Sequence, residues 1–254
     1  MIKIIVIGTG NVGMHLCKAF EKVGPTSSLK LVAYYNRAQK KLPNINATLA
    51  QNLNNLPNAD LILLAVPDDA VLSVAQELVG QEAIIAHTSG SVGMQTLSMH
   101  KKYGVFYLPQ SFSISRIPNW SDITICLESS DMFVNKVLEN VAVTLSRKRE
   151  QINSQQRKRL HLAAVYMNNF VNHCYFKAGK IMEDASMDRS LLDALMQETL
   201  EKALDITPEN AQTGPAVRND RKTIDKHLKM LHKEDQEMYR SITKSIQKTH
   251  GKKL

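Results

Sequence analysis

The first half of the chain alternates short apolar runs with segments of helical periodicity, and this alternation constrains the fold more than any other feature. The runs begin at Lys3 (KIIVIG), Leu29 (LKLVAYYN), Ala59 (ADLILLAVP) and Glu82 (EAIIAHTSG). Continuous apolar runs predict strands that are buried on both faces, and the helical segments between them predict crossover connections. We therefore predict an α/β fold built on a doubly wound parallel sheet.

The pattern changes near residue 150. Before that point, GVFYLP and DITICLE predict two further strands, and a helix is expected from Met132 to Leu145. After Asn153 only helical segments remain, over residues 155–184, over 188–204 and on either side of LHKED. Two domains are thus predicted, residues 1–152 as the α/β domain and residues 153–254 as an all-helical domain.

The composition restricts the protein class. Of the 254 residues, 43% are hydrophobic, which is enough to bury a core. No apolar run approaches the ~20 residues that a membrane helix requires, and Ile2–Ile7 is too short for a secretion signal. We expect a cytoplasmic protein with no membrane partner. Cys17, Cys126 and Cys174 lie far apart, which favours reduced core thiols and predicts no metal site.

The formal net charge of +8 raises the question of nucleic-acid binding. The basic clusters SRKRE, QRKRL and HGKKL contain no aromatic side chains that could stack on bases. We interpret them as solvated surface and expect no nucleic-acid partner. A basic field would still attract an anionic cofactor or substrate.

A glycine motif follows the first strand. Gly8, Gly10 and Gly13 have the spacing G-x-G-x-x-G, before a predicted helix that ends at Gly24. In dinucleotide-binding folds the first glycine permits a tight turn, the second lets the backbone approach a pyrophosphate, and the third lets helix pack on strand. The positive end of the helix then faces the phosphates. The predicted cofactor contacts are Gly8, Thr9, Gly10, Asn11, Val12 and Gly13. The alternative is a glycine turn without a ligand.

The end of the second strand discriminates between nicotinamide cofactors. NAD-binding folds usually carry an acidic residue there, whereas this chain has Asn36 and Arg37. A guanidinium suits a 2′-phosphate in both charge and geometry. We predict NADP(H) as the cofactor, with Asn36 and Arg37 among its contacts. The alternative is that Arg37 is a surface cation.

The third strand ends in AVPDD, which should run close to the ribose or the nicotinamide. The residues assigned to the cofactor site here are Ala65, Val66, Pro67 and Asp69. Asp68 or Asp69 is also expected to cap the next helix.

The fourth strand ends in HTSGS at the same edge of the sheet. Thr88 is assigned to the cofactor site and Ser89 to the candidate catalytic residues. His87 has two open interpretations, a buried structural histidine and a catalytic one.

The motifs GTGNVG, NR, AVPDD, HTSGS, QSFS and TGPAVRND resemble the Rossmann-like oxidoreductases that carry the C-terminal domain of unknown function 2520. That family is similar to pyrroline-5-carboxylate reductases, deazaflavin-dependent NADP oxidoreductases and 6-phosphogluconate dehydrogenase-like enzymes. The resemblance covers essentially the whole chain. It implies an NADP-binding domain, a helical substrate and dimerisation domain, a homodimer, and an active site between the domains. It does not imply a substrate.

The first long helix departs from the wider group, whose hydroxyacid dehydrogenases use a lysine four residues before an asparagine. Here Val165 precedes Asn169 and Ala164 precedes Asn168 at that spacing, so a lysine base is not predicted. The helix instead carries a polar seam: His161, Asn168, Asn169, Asn172 and His173. The seam is either an interhelical hydrogen-bond network or the wall of an active site. In the second case His161 donates a proton and Asn169 orients the substrate.

The segment TGPAVRND supplies the last candidate residue. Asp220 is expected to cap the helix that follows, and Arg218 either clamps an anionic group or forms a structural ion pair.

We predict an NADP-dependent oxidoreductase that acts on a small anionic carbonyl, imine or hydroxy compound. The alternative is a non-catalytic NADP-binding sensor or scaffold, which would need the dinucleotide site but no titratable group near the nicotinamide.

Overall fold

The computed structural model describes residues 1–23 and 28–250. Its strands are β1 (Ile2–Ile7), β2 (Leu29–Tyr35), β3 (Thr48–Leu49), β4 (Leu61–Leu64), β5 (Ile84–His87), β6 (Tyr103–Tyr107), β7 (Ile125–Ser129) and β8 (Arg149–Gln151). Its α-helices are α1 (Asn11–Lys22), α2 (Val71–Glu77), α3 (Met132–Leu145), α4 (Ser154–Ala164), α5 (Val171–Asp184), α6 (Asp193–Asp205), α7 (Pro208–Ala211), α8 (Arg221–Met230) and α9 (Lys233–His250).

The described strands form one sheet in the order β3-β2-β1-β4-β5-β6-β7-β8. Neighbouring strands are parallel except β6 and β7, which pair antiparallel. This topology confirms the predicted doubly wound α/β fold. The sequence did not predict β3 and β8, because strands of two or three residues carry no usable periodicity. The strand order changes direction at β1, so a ligand crevice is expected beyond the carboxyl ends of β1 and β4.

Both faces of the sheet are covered, as the alternating side chains of β1 illustrate. Ile4 and Val6 belong to one buried cluster together with Phe20 of α1. Ile5 belongs to a second cluster with Val71 of α2. Each fully buried side chain of this size contributes about 1.5–3 kcal/mol to folding, so burial on two faces explains the continuous apolar runs.

Several helix bounds differ from the sequence-based expectation. The predicted single helix over residues 155–184 is interrupted by a π-helical segment, Val165–Phe170, between α4 and α5. The described part of α1 ends at Lys22, and its predicted end, Gly24, lies outside the described residues. Residues 251–254 of the last basic cluster lie outside them as well.

The chain divides into two compact units, Met1–Phe170 and Val171–Leu254. The predicted domain boundary after residue 152 lies between β8 and α4, where the described strands end and only helices follow. The compact units divide later, because α4 is bonded to the sheet through Arg157, as described below.

The second unit buries few side chains of its own. Among its described residues, the buried apolar ones are Met182, Ala216 and Leu228. Its exposed large apolar residues include Phe176, Ile181, Leu191, Leu195, Leu200 and Leu204. Cys17 and Cys126 are buried as predicted, but the prediction of a core thiol is wrong for Cys174, which is exposed on α5. Among the described residues, no helix has both the length and the apolar character needed to cross a membrane.

Candidate functional site

A cavity of about 700 Å³ opens at the carboxyl edge of the sheet, and all the residues that line it belong to the first unit. Its walls come from the glycine turn, the ends of β4, β5 and β6, and the helical segment 160–169. The predicted site residues that line it are Gly10, Asn11, Val12, Ala65, Val66, Pro67, Thr88, Ser89, His161 and Asn169. Those that do not are Gly8, Thr9, Gly13, Asn36, Arg37, Asp69 and Arg218.

The three glycines of the turn have different structural roles. Gly8 has φ +92, and a Cβ there would lie 2.3 Å from the carbonyl oxygen of Ala65. A Cβ on Gly13 would lie 1.9 Å from the carbonyl oxygen of Gly8, so Gly13 permits the close contact between helix and strand. A Cβ on Gly10 would meet nothing within 4 Å. The open space therefore lies over Gly10, the one glycine of this turn that lines the cavity.

The same turn leaves the N-terminus of α1 without a side-chain cap. Gly10 occupies the N-cap position, no side chain there accepts a hydrogen bond, and the first helical turn holds no acidic residue. Unpaired N–H groups and the positive end of the helix dipole attract anions. The residues present thus fit the pyrophosphate of a dinucleotide.

The loop after β2 is shaped by Asn36. This buried side chain donates from Nδ2 to the carbonyl of Lys40 at 2.9 Å and accepts from the Lys40 N–H at 3.0 Å. Both ends of its amide are therefore used to close the loop. Arg37 is exposed within it. The structure thus gives Asn36 a loop-closing role and leaves Arg37 exposed at the surface of the loop.

The capping role predicted for Asp68 or Asp69 is wrong. Asp68–Ala70 forms a 3₁₀ turn before α2, and neither it nor α2 has a side-chain cap. The Asp68 carboxylate accepts a hydrogen bond from the Ser91 hydroxyl, which ties the end of β4 to the loop after β5. Asp69 is exposed.

The end of β5 is held by its own hydrogen bonds. Both the N–H and the hydroxyl of Thr88 donate to the carbonyl of Leu64, at 3.0 and 3.2 Å. The Ser89 hydroxyl oxygen accepts from the N–H groups of Ser91 and Val92. Ser89 therefore stabilises the turn of HTSGS at the cavity wall.

His87 is buried beneath this turn, and its Nδ1 accepts the Ser89 N–H at 3.2 Å. Burial, together with the positive charge of Arg157, lowers the pKa of His87 to about 4. The imidazole is therefore neutral at physiological pH. This geometry favours the structural interpretation over the catalytic one.

The low pKa of His87 predicts acid destabilisation. A histidine in the unfolded chain titrates near pH 6.5, so between that pH and about 4 the unfolded state binds the additional proton. The stability contributed by neutral His87 is complete above this window and is lost as pH falls through it, by about 3 kcal/mol. Urea unfolding should show a smaller loss of stability between these pH values in His87→Gln than in the wild type. Equal losses would contradict this prediction, and exposed His232→Gln is the control.

The histidine of α4 has a partner that the sequence did not predict. Nδ1 of His161 lies 3.2 Å from the Tyr107 hydroxyl, and the two rings meet edge to face at 6.0 Å. Tyr107 is buried at the end of β6, and burial raises the pKa of its phenol to about 12. A Cβ on Gly90 would lie 2.6 Å from Nδ1 of His161, so this glycine provides the space for the ring. No sequence spacing links β5, β6 and α4, and the contact could not be predicted.

A buried ion pair attaches α4 to the sheet. The Arg157 side chain is fully buried and donates to the Glu128 carboxylate of β7. It also donates to the carbonyl of Val92 at 2.6 Å, and Ser154 donates to the same carboxylate at 2.9 Å. The sequence shows Arg157 only as part of a basic cluster interpreted as surface, and for this residue that interpretation is wrong.

The asparagines of the seam lie in the π-helical segment. Asn168 and Asn169 line the cavity, are exposed, and make no side-chain hydrogen bond among the described residues. Interruptions of this kind are frequent at functional sites. For these two residues the geometry favours the cavity wall over an internal network.

Arg218 is exposed in the second unit, in the turn before α8. Asp220 caps α8 as predicted, by accepting from the Thr223 N–H at 3.1 Å. Hydrogen bonds from Thr223, and then the charge of Arg218, lower the pKa of Asp220. The described residues contain no cluster of three or more His, Cys, Asp or Glu side chains arranged to hold a metal ion.

Comparisons with known proteins match both parts of the chain. Residues 1–109 match the Rossmann-like domain, and residues 123–246 match the domain of unknown function 2520. A Bacteroides fragilis protein provisionally designated an NADP oxidoreductase is 33% identical, with a TM-score of 0.88 over 97% of this chain and 98% of that one. No curated protein matches the chain.

More distant structures share the fold. An imine reductase from Myxococcus stipitatus in complex with NADP⁺ is 17% identical, with a TM-score of 0.70 over 98% of this chain and 96% of that one. Pyrroline carboxylate reductase from Plasmodium falciparum with NADP bound is 13% identical, with a TM-score of 0.64 over 96% of this chain and 95% of that one.

Proposed function

The chain belongs to the family of Rossmann-like oxidoreductases with the C-terminal domain of unknown function 2520, and on that premise we propose that it is an NADP-dependent oxidoreductase. The observation that carries the proposal is the open space over Gly10 beside the uncapped start of α1, at the edge of a 700 Å³ cavity. NADPH, when bound, supplies the hydride. The protein supplies the binding site, the orientation of the substrate and a proton.

Arg37 supports NADP over NAD. The loop closed by Asn36 exposes Arg37 at the end of β2, and its guanidinium can pair with a 2′-phosphate. No carboxylate stands at Asn36 to bond the ribose hydroxyls or to repel that phosphate. The other proposed contacts are the predicted cofactor residues that line the cavity: Gly10, Asn11, Val12, Ala65, Val66, Pro67 and Thr88.

The experiment that tests the proposal is a titration of the purified protein with NADPH and NADH, followed by nicotinamide fluorescence. Arg37→Gln should weaken NADPH binding by about 10–100-fold, because a charge-assisted bond to phosphate is lost, and should leave NADH binding unchanged. Lys30→Gln removes the same charge from the opposite end of β2 and is the control. Failure of the wild type to bind either dinucleotide would disprove the proposal.

The proposed substrate is a small carbonyl, imine or hydroxy compound. His161 donates the proton to the substrate heteroatom, and Asn169 orients the substrate through its unpaired amide. Ser89 acts mainly by holding the cavity wall.

We assign recognition of an anionic substrate group to Arg218. Arg218 is exposed in the turn before α8, and the described lining of the cavity contains no lysine or arginine. A panel of keto acids and cyclic imines, each compared with its neutral amide, tests the assignment. A preference for the carboxylates that Arg218→Gln abolishes would support it, and no preference would reject it.

The second candidate function is an NADP-binding sensor without catalysis. The lysine of related dehydrogenases is absent, and Val165 and Ala164 stand at its place. Tight NADPH binding without turnover of any member of the panel would favour the sensor.

We also propose a homodimer formed through the helical domain. The second unit exposes many large apolar side chains, including Leu191, Leu195 and Leu204, and large apolar patches mark association surfaces. Light scattering should give twice the 28.5 kDa mass of one chain. The cytoplasmic location stays a prediction.

A further inference from the structure

The cavity contains a histidine whose ring is held on two sides. Nδ1 of His161 lies 3.2 Å from the Tyr107 hydroxyl, and Gly90 leaves room for the ring where any Cβ would overlap it. Nε2 makes no hydrogen bond among the described residues. One nitrogen of His161, a residue that lines the cavity, is thus occupied within the protein, and the other has no partner among the described residues.

The direction of the Tyr107 hydrogen bond follows from its surroundings. The phenol is buried, and its hydroxyl has no other partner among the described residues. A buried hydroxyl needs an acceptor for its proton, and a neutral imidazole nitrogen is a good one. Because burial also raises the pKa of the phenol to about 12, Tyr107 keeps its proton and can donate it to the neutral imidazole.

We propose that Tyr107 is a positioning residue for His161: its hydroxyl donates to Nδ1 and thereby holds the proton of the neutral ring on Nε2, at the cavity. The imidazolium also carries a proton on Nε2. Before the transfer, Nε2 is therefore protonated in both charge states of His161. Gly90 also contributes to this positioning, because the absence of a Cβ there allows the His161 ring to reach Tyr107. The inference deepens the proposed function and rests on it.

His161 transfers one proton to the substrate. The Nε2–H bond of the imidazolium breaks, and a new bond forms between that proton and the nitrogen or oxygen of the substrate. The adjacent substrate carbon is reduced by NADPH, which is oxidised to NADP⁺. His161 is left neutral with its proton on Nδ1, which donates to the Tyr107 oxygen. Solvent returns a proton to Nε2, and when Nδ1 loses its proton to solvent the Tyr107 hydroxyl donates to Nδ1 again.

The tautomer of His161 tests the inference without a substrate. Long-range ¹H–¹⁵N spectra of protein labelled with ¹⁵N-histidine, at about pH 8 where an ordinary histidine is neutral, report which nitrogen carries the proton. His161→Gln assigns the signal by its loss. The wild type should have the proton on Nε2, and Tyr107→Phe should lower the ratio of Nε2–H to Nδ1–H about tenfold, as expected for one lost hydrogen bond.

Two glycine variants provide a matched comparison. Gly90→Ala should change the tautomer ratio as Tyr107→Phe does, because its Cβ displaces the ring. A Cβ on Gly93 would meet no atom within 4 Å, so Gly93→Ala should leave the tautomer ratio of His161 unchanged. A wild-type proton on Nδ1, or an unchanged ratio in Tyr107→Phe, would overturn the inference. The NADPH titration tests the proposed function separately. A failure of the tautomer inference can therefore be distinguished from a failure of the proposed function.

Discussion

Replacing His161 by glutamine should lower kcat for a reduced substrate by about 10²–10⁴-fold, the usual contribution of a general acid. The affinity for NADPH should stay the same, because the phosphate contacts proposed at Gly10 and Arg37 lie at other parts of the site. Glutamine keeps a hydrogen-bond donor of similar reach but cannot carry the transferred proton. The loss should therefore appear in kcat more than in KM.

The measurement is a steady-state comparison on the first substrate that the keto acid and imine panel identifies. His232→Gln, at an exposed histidine of the second unit, is the matched control and should retain wild-type turnover. Unchanged kcat in His161→Gln would remove His161 as the proton donor and would leave the cofactor assignment untouched.

Replacing Arg157 by methionine should lower the free energy of unfolding by about 3–5 kcal/mol, because Glu128 is left charged without its buried partner. For a chain of this size such a loss corresponds to a fall in Tm of roughly 6–20 °C. Thermal and urea unfolding both measure it. The variant Glu128→Gln combined with Arg157→Met should be less destabilised than Arg157→Met alone, because no uncompensated charge remains.

The exposed pair of Arg149 and Glu139 provides the comparison. Its side chains are 30% and 36% exposed, so Arg149→Met should cost no more than about 1 kcal/mol. Similar losses at the two sites would show that burial does not decide the contribution of the Arg157 pair.

The sequence predicted the features that depend on local periodicity. The apolar runs identify the six longer strands, and the helix from Met132 to Leu145 has the expected bounds. Asp220 caps α8, as its position before that helix predicted. The roles of Gly8 and Gly13 also follow from spacing, because tight turns and close helix packing have strict steric requirements.

Predictions that depended on a partner elsewhere in the chain were less successful. Asp68 looked like a helix cap, yet its carboxylate bonds Ser91 across the sheet edge. Arg157 was interpreted as surface because its neighbours are basic, yet it is buried against Glu128. Cys174 was expected in the core, yet it is exposed on α5.

The sequence by itself determined the α/β fold, the glycine turn and the cationic end of β2, because each depends on residues that are adjacent or regularly spaced along the chain. Only the tertiary structure decided that His161 meets Tyr107 over Gly90, and that Arg157 holds α4 on the sheet. These contacts join segments from β5, β6, β7 and α4, and their geometry depends on how the strands and helices pack in three dimensions.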